Sequence, residues 1–426
     1  EADRCIECGL CIATCPAHMG IPQYIAAIRE DDMEEGLRVL YETNPLPEIC
    51  GRICTHKCES VCAMNHKGDP ISIRWLKRYI ADQIPIERYR EILGSEADDK
   101  SGRTVAVIGA GPAGLSAAYY LARMGHTVTI FEALPEAGGM TRYGIPEYRL
   151  PYDQIDKDVA YIKSLGVAFK FNTRVGEHIT LEALHGQFDA VFAGTGLHLG
   201  RSTRVDGVDH PMVFMAVDLL REVTLGNTIH VGKKIVVIGG GNVAMDITRT
   251  LARLQKQQFG TIDITATCLE TEDVMPADCE EIVEAREEGA IIDAGWGPKR
   301  IEVEGGAIKG LHVVKCLAIF DEERRFNPRF DENLKQFFEG DMIVEAIGQG
   351  MDLKYLDPLK DQITFSPRGR IEVNAGFQSS LPWFFVGGDI IQGPDVIHGI
   401  ANGQKAAKAI DKYLTTLKKQ HPYPHQ

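Results

Sequence analysis

No stretch of this 426-residue chain is apolar for long enough to span a bilayer, and no signal-peptide-like segment opens it. Neither a membrane anchor nor a secreted disulfide framework is expected, and the natural setting for such a chain is the cytoplasm. Tandem repeats and low-complexity tracts are absent too. Positive charge is in short supply: 46 Lys and Arg face 60 Asp and Glu, a formal net charge of −14. That balance argues against nucleic acid as a partner and is compatible with docking to a basic protein surface. An apolar content of 44% with 25% charged residues marks a soluble globular protein. The length suits two to four domains of roughly 100–200 residues each. The sequence begins at Glu1 rather than at methionine, as a trimmed chain would, and residues upstream are compatible with it.

Eight of the 11 cysteines fall within the first 62 residues. They form two runs: Cys5, Cys8, Cys11 and Cys15, then Cys50, Cys54, Cys58 and Cys62. The first reads C-x-x-C-x-x-C-x-x-x-C-P, closed by Pro16. Thiolates at these spacings hold iron–sulfur clusters, and four satisfy one cubane, so eight ligands imply two [4Fe–4S] centres. Structural zinc is the alternative, since paired C-x-x-C motifs bind it as well. The proline-closed run fits a ferredoxin-like site better. Cys268, Cys279 and Cys316 are scattered and read as packed free thiols.

Between the runs, Ile25, Ile28, Leu37 and Leu40 recur at helical spacing over Ile21 to Thr43, interrupted by the acidic turn Glu30-Asp31-Asp32. Pro45 and Pro47 end that helix, and Ile71 to Gln83 reads as another. The polar segment Gly94 to Arg103 reads as a linker.

From Thr104 the pattern changes. A buried strand, Val105 to Ile108, runs into Gly109-Ala110-Gly111-Pro112-Ala113-Gly114. A helix through Leu121 follows, then a strand Thr127 to Phe131 that ends at Glu132 and Ala133. This is a complete dinucleotide-binding fingerprint. Its glycines allow the tight turn and close backbone approach to pyrophosphate, and its acid accepts from the adenosine ribose. A second such unit runs from Ile235 through Gly239-Gly240-Gly241-Asn242-Val243-Ala244 into a helix carrying Asp246 and Arg249, and a strand Ile262 to Leu269 that ends at Glu270. Two intact units imply two different dinucleotides.

The first unit continues into Gly138-Gly139-Met140 and Tyr143-Gly144-Ile145-Pro146. Near the end come the apolar strand Phe384 to Val386, Gly388-Asp389, and Gly399-Ile400. A strand–Gly–Asp element followed by a helix start completes the FAD site of two-dinucleotide flavoproteins, the aspartate binding the ribityl chain. Gly194-Thr195 and Ala346 to Gly348 read as the crossings between FAD and nicotinamide domains. The candidate FAD ligands are thus residues 109–114, Glu132, Ala133, Gly139, Met140, Tyr143, Ile145, Gly194, Thr195, Gly388, Asp389 and Ile400. Those for the nicotinamide dinucleotide are Gly239, Gly241, Asn242, Val243, Ala244, Asp246, Arg249, Glu270 and Gly348.

In this order, the cysteine-rich start, G-A-G-P-A-G-L-S-A-A, G-G-M-x-x-Y-G-I-P, G-G-G-N-V-A-M-D and V-G-G-D, the chain resembles the glutamate synthase small-subunit family. That group includes the amino-terminal half of dihydropyrimidine dehydrogenase and the flavoprotein subunits of electron-bifurcating NADH-dependent ferredoxin:NADP oxidoreductases. The resemblance covers essentially the whole chain. It implies an α/β fold: a helical domain for two [4Fe–4S] clusters over residues 1–100, an FAD domain in two parts, 101–230 and 346–426, and a nicotinamide domain, 231–345, inserted in it. It also implies mixed cluster ligation, Cys5, Cys8, Cys11 and Cys62 for one, Cys15, Cys54 and Cys58 for the other.

The chain departs from that pattern twice. NADPH-using members carry two arginines after the second nicotinamide-domain strand, where Leu269 and Glu270 stand here. A carboxylate binds the free 2′-hydroxyl of NAD and repels a 2′-phosphate. NAD(H) is therefore expected over NADP(H), with Arg249 either a partial rescue for NADP or an ordinary exposed helix arginine. Relatives also ligate one cluster through a Glu or Gln where this chain has Lys77, a poor ligand. Cys50 is then the expected eighth ligand; otherwise it is a packed thiol.

No side-chain nucleophile is called for, since the cofactors carry the chemistry. The expected activity is hydride exchange between NADH and FAD, with electrons passed through the clusters to other oxidoreductase subunits in a hetero-oligomer. Ferredoxin and electron bifurcation are among the candidates. Alternatives are the small subunit of glutamate synthase or of an NAD-dependent dihydropyrimidine dehydrogenase and, from another class, a non-catalytic electron-relay scaffold. Residues 231–345 hold no C-x-x-C, which excludes a thioredoxin-reductase-like disulfide chemistry.

Overall fold

A computed structural model describes residues 1–418 apart from Glu96, Asp98 and Arg368. The linker expected from Gly94 to Arg103 falls in part on Glu96 and Asp98, outside the described residues, as do 419–426 of the expected last FAD segment. The described chain divides into two units. One comprises Glu1–Arg142, Glu147–Leu197 and the residues from Met351 onward; the other comprises Tyr143–Pro146 and His198–Gly350.

The first unit opens with helices Ile21–Arg29, Met33–Thr43, Pro47–Ile53 and Ile73–Gln83. The acidic turn separates the first two completely. Asp31 takes a left-handed φ of 58°, and the Asp32 carboxylate accepts from the Glu35 N–H at 2.9 Å, capping the second helix. Ile25, Leu37, Leu40 and Ile80, spaced along one face of each helix, are fully buried. A Cβ at Gly51 would stand 3.0 Å from Arg78 Cα, so helices Pro47–Ile53 and Ile73–Gln83 meet backbone to backbone.

Behind them lies a parallel five-stranded sheet of β1 (Thr104–Ile108), β2 (Thr127–Phe131), β3 (Ala168–Lys170), β4 (Ala190–Ala193) and β15 (Phe384–Val386), in the order β15-β4-β1-β2-β3. Val107 pairs with Ile130 on one side and Phe192 on the other. Val105 to Val107 are fully buried, as an apolar strand covered on both faces must be. Helices Pro112–Arg123 and Val396–Lys418 pack tightly on each other, a Cβ at Gly403 falling 2.4 Å from the Ala113 carbonyl oxygen.

The second unit repeats the plan with β6 (Val213–Met215), β7 (Ile235–Ile238), β8 (Ile264–Thr267), β9 (Ile291–Ile292) and β13 (Met342–Glu345), in the order β6-β13-β7-β8-β9. Helix Asn242–Phe259 follows β7 and ends at Gly260, whose φ of 74° suits a glycine C-terminus. Val237, Ile247, Leu251 and Val344 form its core. Strands β5 (Leu199–Gly200) and β14 (Gln349–Gly350) pair where the chain enters and leaves this unit. An antiparallel sheet of β10 (Trp296–Glu304), β11 (Ala307–Phe320) and β12 (Phe326–Glu339) adds to the Rossmann plan. The chain is thus α/β, with a helical N-terminal domain followed by two Rossmann-type units, the second interrupting the first.

Candidate dinucleotide and iron–sulfur sites

The first glycine turn is shaped by what its glycines exclude. A Cβ at Gly114 would lie 1.9 Å from the Gly109 carbonyl oxygen, and one at Gly109, where φ is 97°, would lie 2.7 Å from the Gly194 carbonyl oxygen. Gly111 differs: its Cβ would meet nothing nearer than Gly139 Cα at 3.8 Å, leaving room at the head of helix Pro112–Arg123. An open glycine at a helix N-terminus is what a pyrophosphate needs. Glu132 is buried at the end of β2. Its carboxylate accepts from the Ala110 N–H at 2.7 Å and the Leu134 N–H at 2.9 Å. Burial pushes this carboxyl up, against the pull of the Ala110, Leu134 and Ala133 N–H groups.

The carboxyl-terminal segment closes on the same turn. A Cβ at Gly388 would sit 2.8 Å from Ala113 Cβ, and one at Gly399 3.7 Å from Ala113 N. The Ile400 carbonyl accepts from Ser116 Oγ at 2.8 Å. Burial pushes the Asp389 carboxyl up to about 6; the Asp395 N–H and His398 oppose the shift and the Asp395 charge adds to it. Gly109 to Gly114, Glu132, Gly139, Gly194, Gly388 and Ile400 therefore gather around one cradle, with Thr195 beside Gly109. Met140 begins the short helix Met140–Tyr143, whereas Tyr143 and Ile145 belong to the second unit.

The second turn has the same build. A Cβ at Gly239 would fall 2.4 Å from the Ala346 carbonyl oxygen, and one at Gly241 would meet nothing within 4 Å. Glu270 Oε2 lies 3.2 Å from where a Gly240 Cβ would be, so the carboxylate sits against the turn. Ala244 is packed in the core and Val243 packs partly against it. Asn242 is held by Asp278, donating to its carboxylate at 3.1 Å and accepting from its N–H at 2.7 Å. Asp246 is buried, and the Gly348 carbonyl accepts from the Arg201 N–H at 3.0 Å.

Arg249 requires a correction. It is buried, not exposed, and pairs with Glu281 at 3.0 Å, Glu284 at 2.5 Å and Glu288 at 2.7 Å. Two carboxylates on helix Cys279–Glu287 and a third just past its end engage the guanidinium, an arrangement that a single sequence does not reveal.

All 11 cysteines are unpaired. Cys5, Cys8, Cys11 and Cys62 line one cavity with Ile25 and Ile73. Burial pushes the Cys11 thiol up to about 11. The other four form a second neighbourhood. Cys54 donates its N–H to the Cys50 carbonyl at 3.3 Å, Cys58 has Cys54 and Cys15 as electrostatic neighbours, and Cys50 is fully buried. Burial pushes Cys58 up to about 12 and Cys50 higher still. Among the described residues, no three His, Cys, Asp or Glu side chains are spaced to hold a single metal ion. As donors, two sets of four soft sulfurs fit thiolate-ligated clusters.

Lys315 and Asp158 were not legible as site residues, and Lys77 was expected only as a poor ligand at a cluster position. Lys77 is buried beside Cys54, Cys50, Cys58 and Cys15. Lys315 brings its Nζ to 2.7 Å from where a Gly295 Cβ would be, next to the Glu270 carbonyl. Asp158 accepts from the Ile49 N–H at 3.1 Å and the Glu48 N–H at 3.4 Å, at the start of the Cys50 helix. Spacing could not have exposed Lys315 or Asp158, because each acts across a long sequence separation.

Comparison with known proteins gives two family matches. Residues 1–88 match the dihydropyrimidine dehydrogenase domain II, 4Fe-4S cluster model, and residues 103–408 match the pyridine nucleotide-disulphide oxidoreductase model. The chain is 39% identical to the NADP(+)-dependent formate dehydrogenase subunit beta of Moorella thermoacetica, over 95% of its own length and 60% of that protein's. It is 35% identical to the NADPH-Fe(3+) oxidoreductase subunit beta of Geobacter sulfurreducens, over 95% and 63%. Both relatives are longer, and the chain spans less than two thirds of either. With the glutamate synthase [NADPH] small chain of Escherichia coli it shares 32% identity over 97% and 91%. Among solved structures, Mycobacterium tuberculosis FprA in complex with NADPH superposes with a TM-score of 0.65 at 17% identity, covering 76% of this chain and 87% of that one.

Proposed function

Because the chain belongs to the pyridine nucleotide-disulphide oxidoreductase family, preceded by a dihydropyrimidine dehydrogenase-type 4Fe-4S domain and aligned end to end with glutamate synthase small chains, we propose that it is the NADH-linked electron-transfer subunit of a larger oxidoreductase. It is an NAD(P)H-dependent flavin oxidoreductase. When bound, FAD exchanges hydride with the nicotinamide and the clusters carry single electrons.

The chain's own residues supply binding, orientation and charge. The open Gly111 at the head of its helix supports FAD pyrophosphate binding there, with Glu132 taking the ribose and Asp389 the ribityl chain. In the nicotinamide unit, Gly241 plays the part of Gly111 and Glu270 that of Glu132. The proposed cluster ligands are Cys5, Cys8, Cys11 and Cys62 in one set and Cys15, Cys50, Cys54 and Cys58 in the other. Thr55, next to Cys54, donates to Asp395 at 3.4 Å, just before helix Val396–Lys418. That contact supports the second set as the one nearer the flavin. The first set includes the exposed Cys8, which suits an exit toward a partner.

The observation that carries the NADH reading is the Glu270 carboxylate against the second glycine turn. It favours a free 2′-hydroxyl and disfavours a phosphate. The relatives are named for NADP(+) or NADPH, and Lys315 near Glu270 favours that second reading. A partner subunit, ferredoxin as acceptor, bifurcation and a cytoplasmic setting belong to the proposal. Disulfide chemistry does not, because residues 231–345 lack a C-x-x-C.

Cofactor analysis of the reconstituted chain tests the assignment. One FAD and about eight irons with matching sulfide are expected. Cys62→Ser and Cys58→Ser should each remove the signature of a different cluster. About four irons, or loss of the same cluster in both variants, would overturn it.

A further inference from the structure

Lys77 is a buried cation with an unusual set of neighbours. It is 5% exposed and lies in helix Ile73–Gln83. That helix is pressed against the Cys50 helix, where a Gly51 Cβ would stand 3.0 Å from Arg78 Cα. The thiols of Cys54, Cys50, Cys58 and Cys15 are its foremost electrostatic neighbours, and among the described residues no carboxylate forms an ion pair with it. A buried ammonium needs a counter-charge, and neutral thiols do not provide one. Four iron-bound thiolates do. A cubane held by four thiolates is net negative and gains a further negative charge on reduction, so a neighbouring cation stabilises its reduced form more than its oxidised form.

We propose that Lys77 is a built-in counter-charge that raises the reduction potential of the cluster held by Cys15, Cys50, Cys54 and Cys58. This rests on the reading that those four cysteines hold a cluster. Lys77 then acts as a positioning and tuning residue: it donates no electrons and binds no iron. With Cys50 completing the coordination, Lys77 supplies charge in the outer shell.

The test is an anaerobic redox titration of the full reconstituted chain with dithionite and ferricyanide, followed by electron paramagnetic resonance. Wild type is compared with Lys77→Met, Lys77→Ala and Lys77→Arg, with iron counted in each sample. Loss of the charge should make one-electron reduction of one cluster at least tenfold less favourable, a drop of about 59 mV. The other cluster should not move, and Lys77→Arg should stay near wild type. Loss of that cluster in the neutral variants would make Lys77 a requirement for holding it rather than for setting its potential, and would overturn the proposal. Unchanged potentials in a neutral variant that retains its iron would overturn the proposal, as would loss of the cluster in Lys77→Arg as well. Retention of the cluster in Cys50→Ala but not in the Lys77 variants would make Lys77 a ligand and overturn it too. A wild-type chain with a single cluster would overturn the cluster reading itself, and the iron count separates that failure from the others.

Discussion

Glu270 follows the second strand of its Rossmann unit as Glu132 follows the second strand of the other, and both carboxylates lie against a glycine turn. Hydrogen bonds to a charged group contribute about 1.5–3 kcal/mol. Glu270→Ala should therefore weaken NADH binding roughly ten- to hundredfold, measured by equilibrium titration, with little effect on NADPH. Leu269→Arg combined with Glu270→Arg should turn the preference toward NADPH; an unchanged preference would remove Glu270 from the recognition of the ribose. Asp389 gives a pH signature. Its carboxyl sits at about 6 in the fold against an ordinary 3.8, so the folded state holds its proton more tightly than the unfolded chain. Stability from this group is full below 3.8 and is lost as pH rises through 6, about 3 kcal/mol at most. Melting of the cofactor-free chain at pH 4.5 and 7.5 should show a wild-type dependence that Asp389→Asn diminishes. Glu270 and Asp389 were legible because each follows an apolar strand at a fixed offset. The burial of Lys77 and Arg249 was not, because packing and partners on other elements decide where a long cationic side chain goes.

At the scale of elements, the Cys50 helix carries no side-chain cap of its own, its N-cap position being Leu46. Asp158, from helix Tyr152–Ser164, takes over that role through the Glu48 and Ile49 N–H groups. Glu48 is itself held by Arg52 at 2.8 Å and by Lys157. Asp158→Ala should cost about 1–2 kcal/mol, as loss of a cap does. Thermal unfolding should fall accordingly, and iron should leave the protein faster. Gly114→Ala acts on the other domain: with 1.9 Å between its Cβ and the Gly109 oxygen the turn must open. Flavin should be lost while iron is retained, as absorbance and iron assay on one sample would report. The Rossmann strands were readable because continuous Val and Ile runs between turn signals are specific to buried parallel strands. The sheet of β10, β11 and β12 was not, because strands such as β12, with many exposed residues, carry little apolar alternation. The helix predicted from Ile21 to Thr43 is two, since Asp31 turns left-handed and Asp32 caps the second.

For the molecule as a whole, two glycine turns, two carboxylates and two sets of four cysteines lie in one chain. It spans 60% and 63% of the length of two relatives that are themselves subunits by name. Among the described residues no helix is long and apolar enough to cross a membrane. That a single chain links a nicotinamide dinucleotide to iron–sulfur centres is the central claim, and NADH as the donor is its sharpest part. The direct measurement is an anaerobic titration of the FAD-loaded, cluster-reconstituted chain with NADH and, separately, with NADPH, recording flavin and cluster spectra together. The account predicts flavin bleaching at far lower NADH than NADPH, with cluster reduction following. Preference for NADPH would contradict the Glu270 assignment, and no flavin reduction by either nucleotide would contradict the account at its centre.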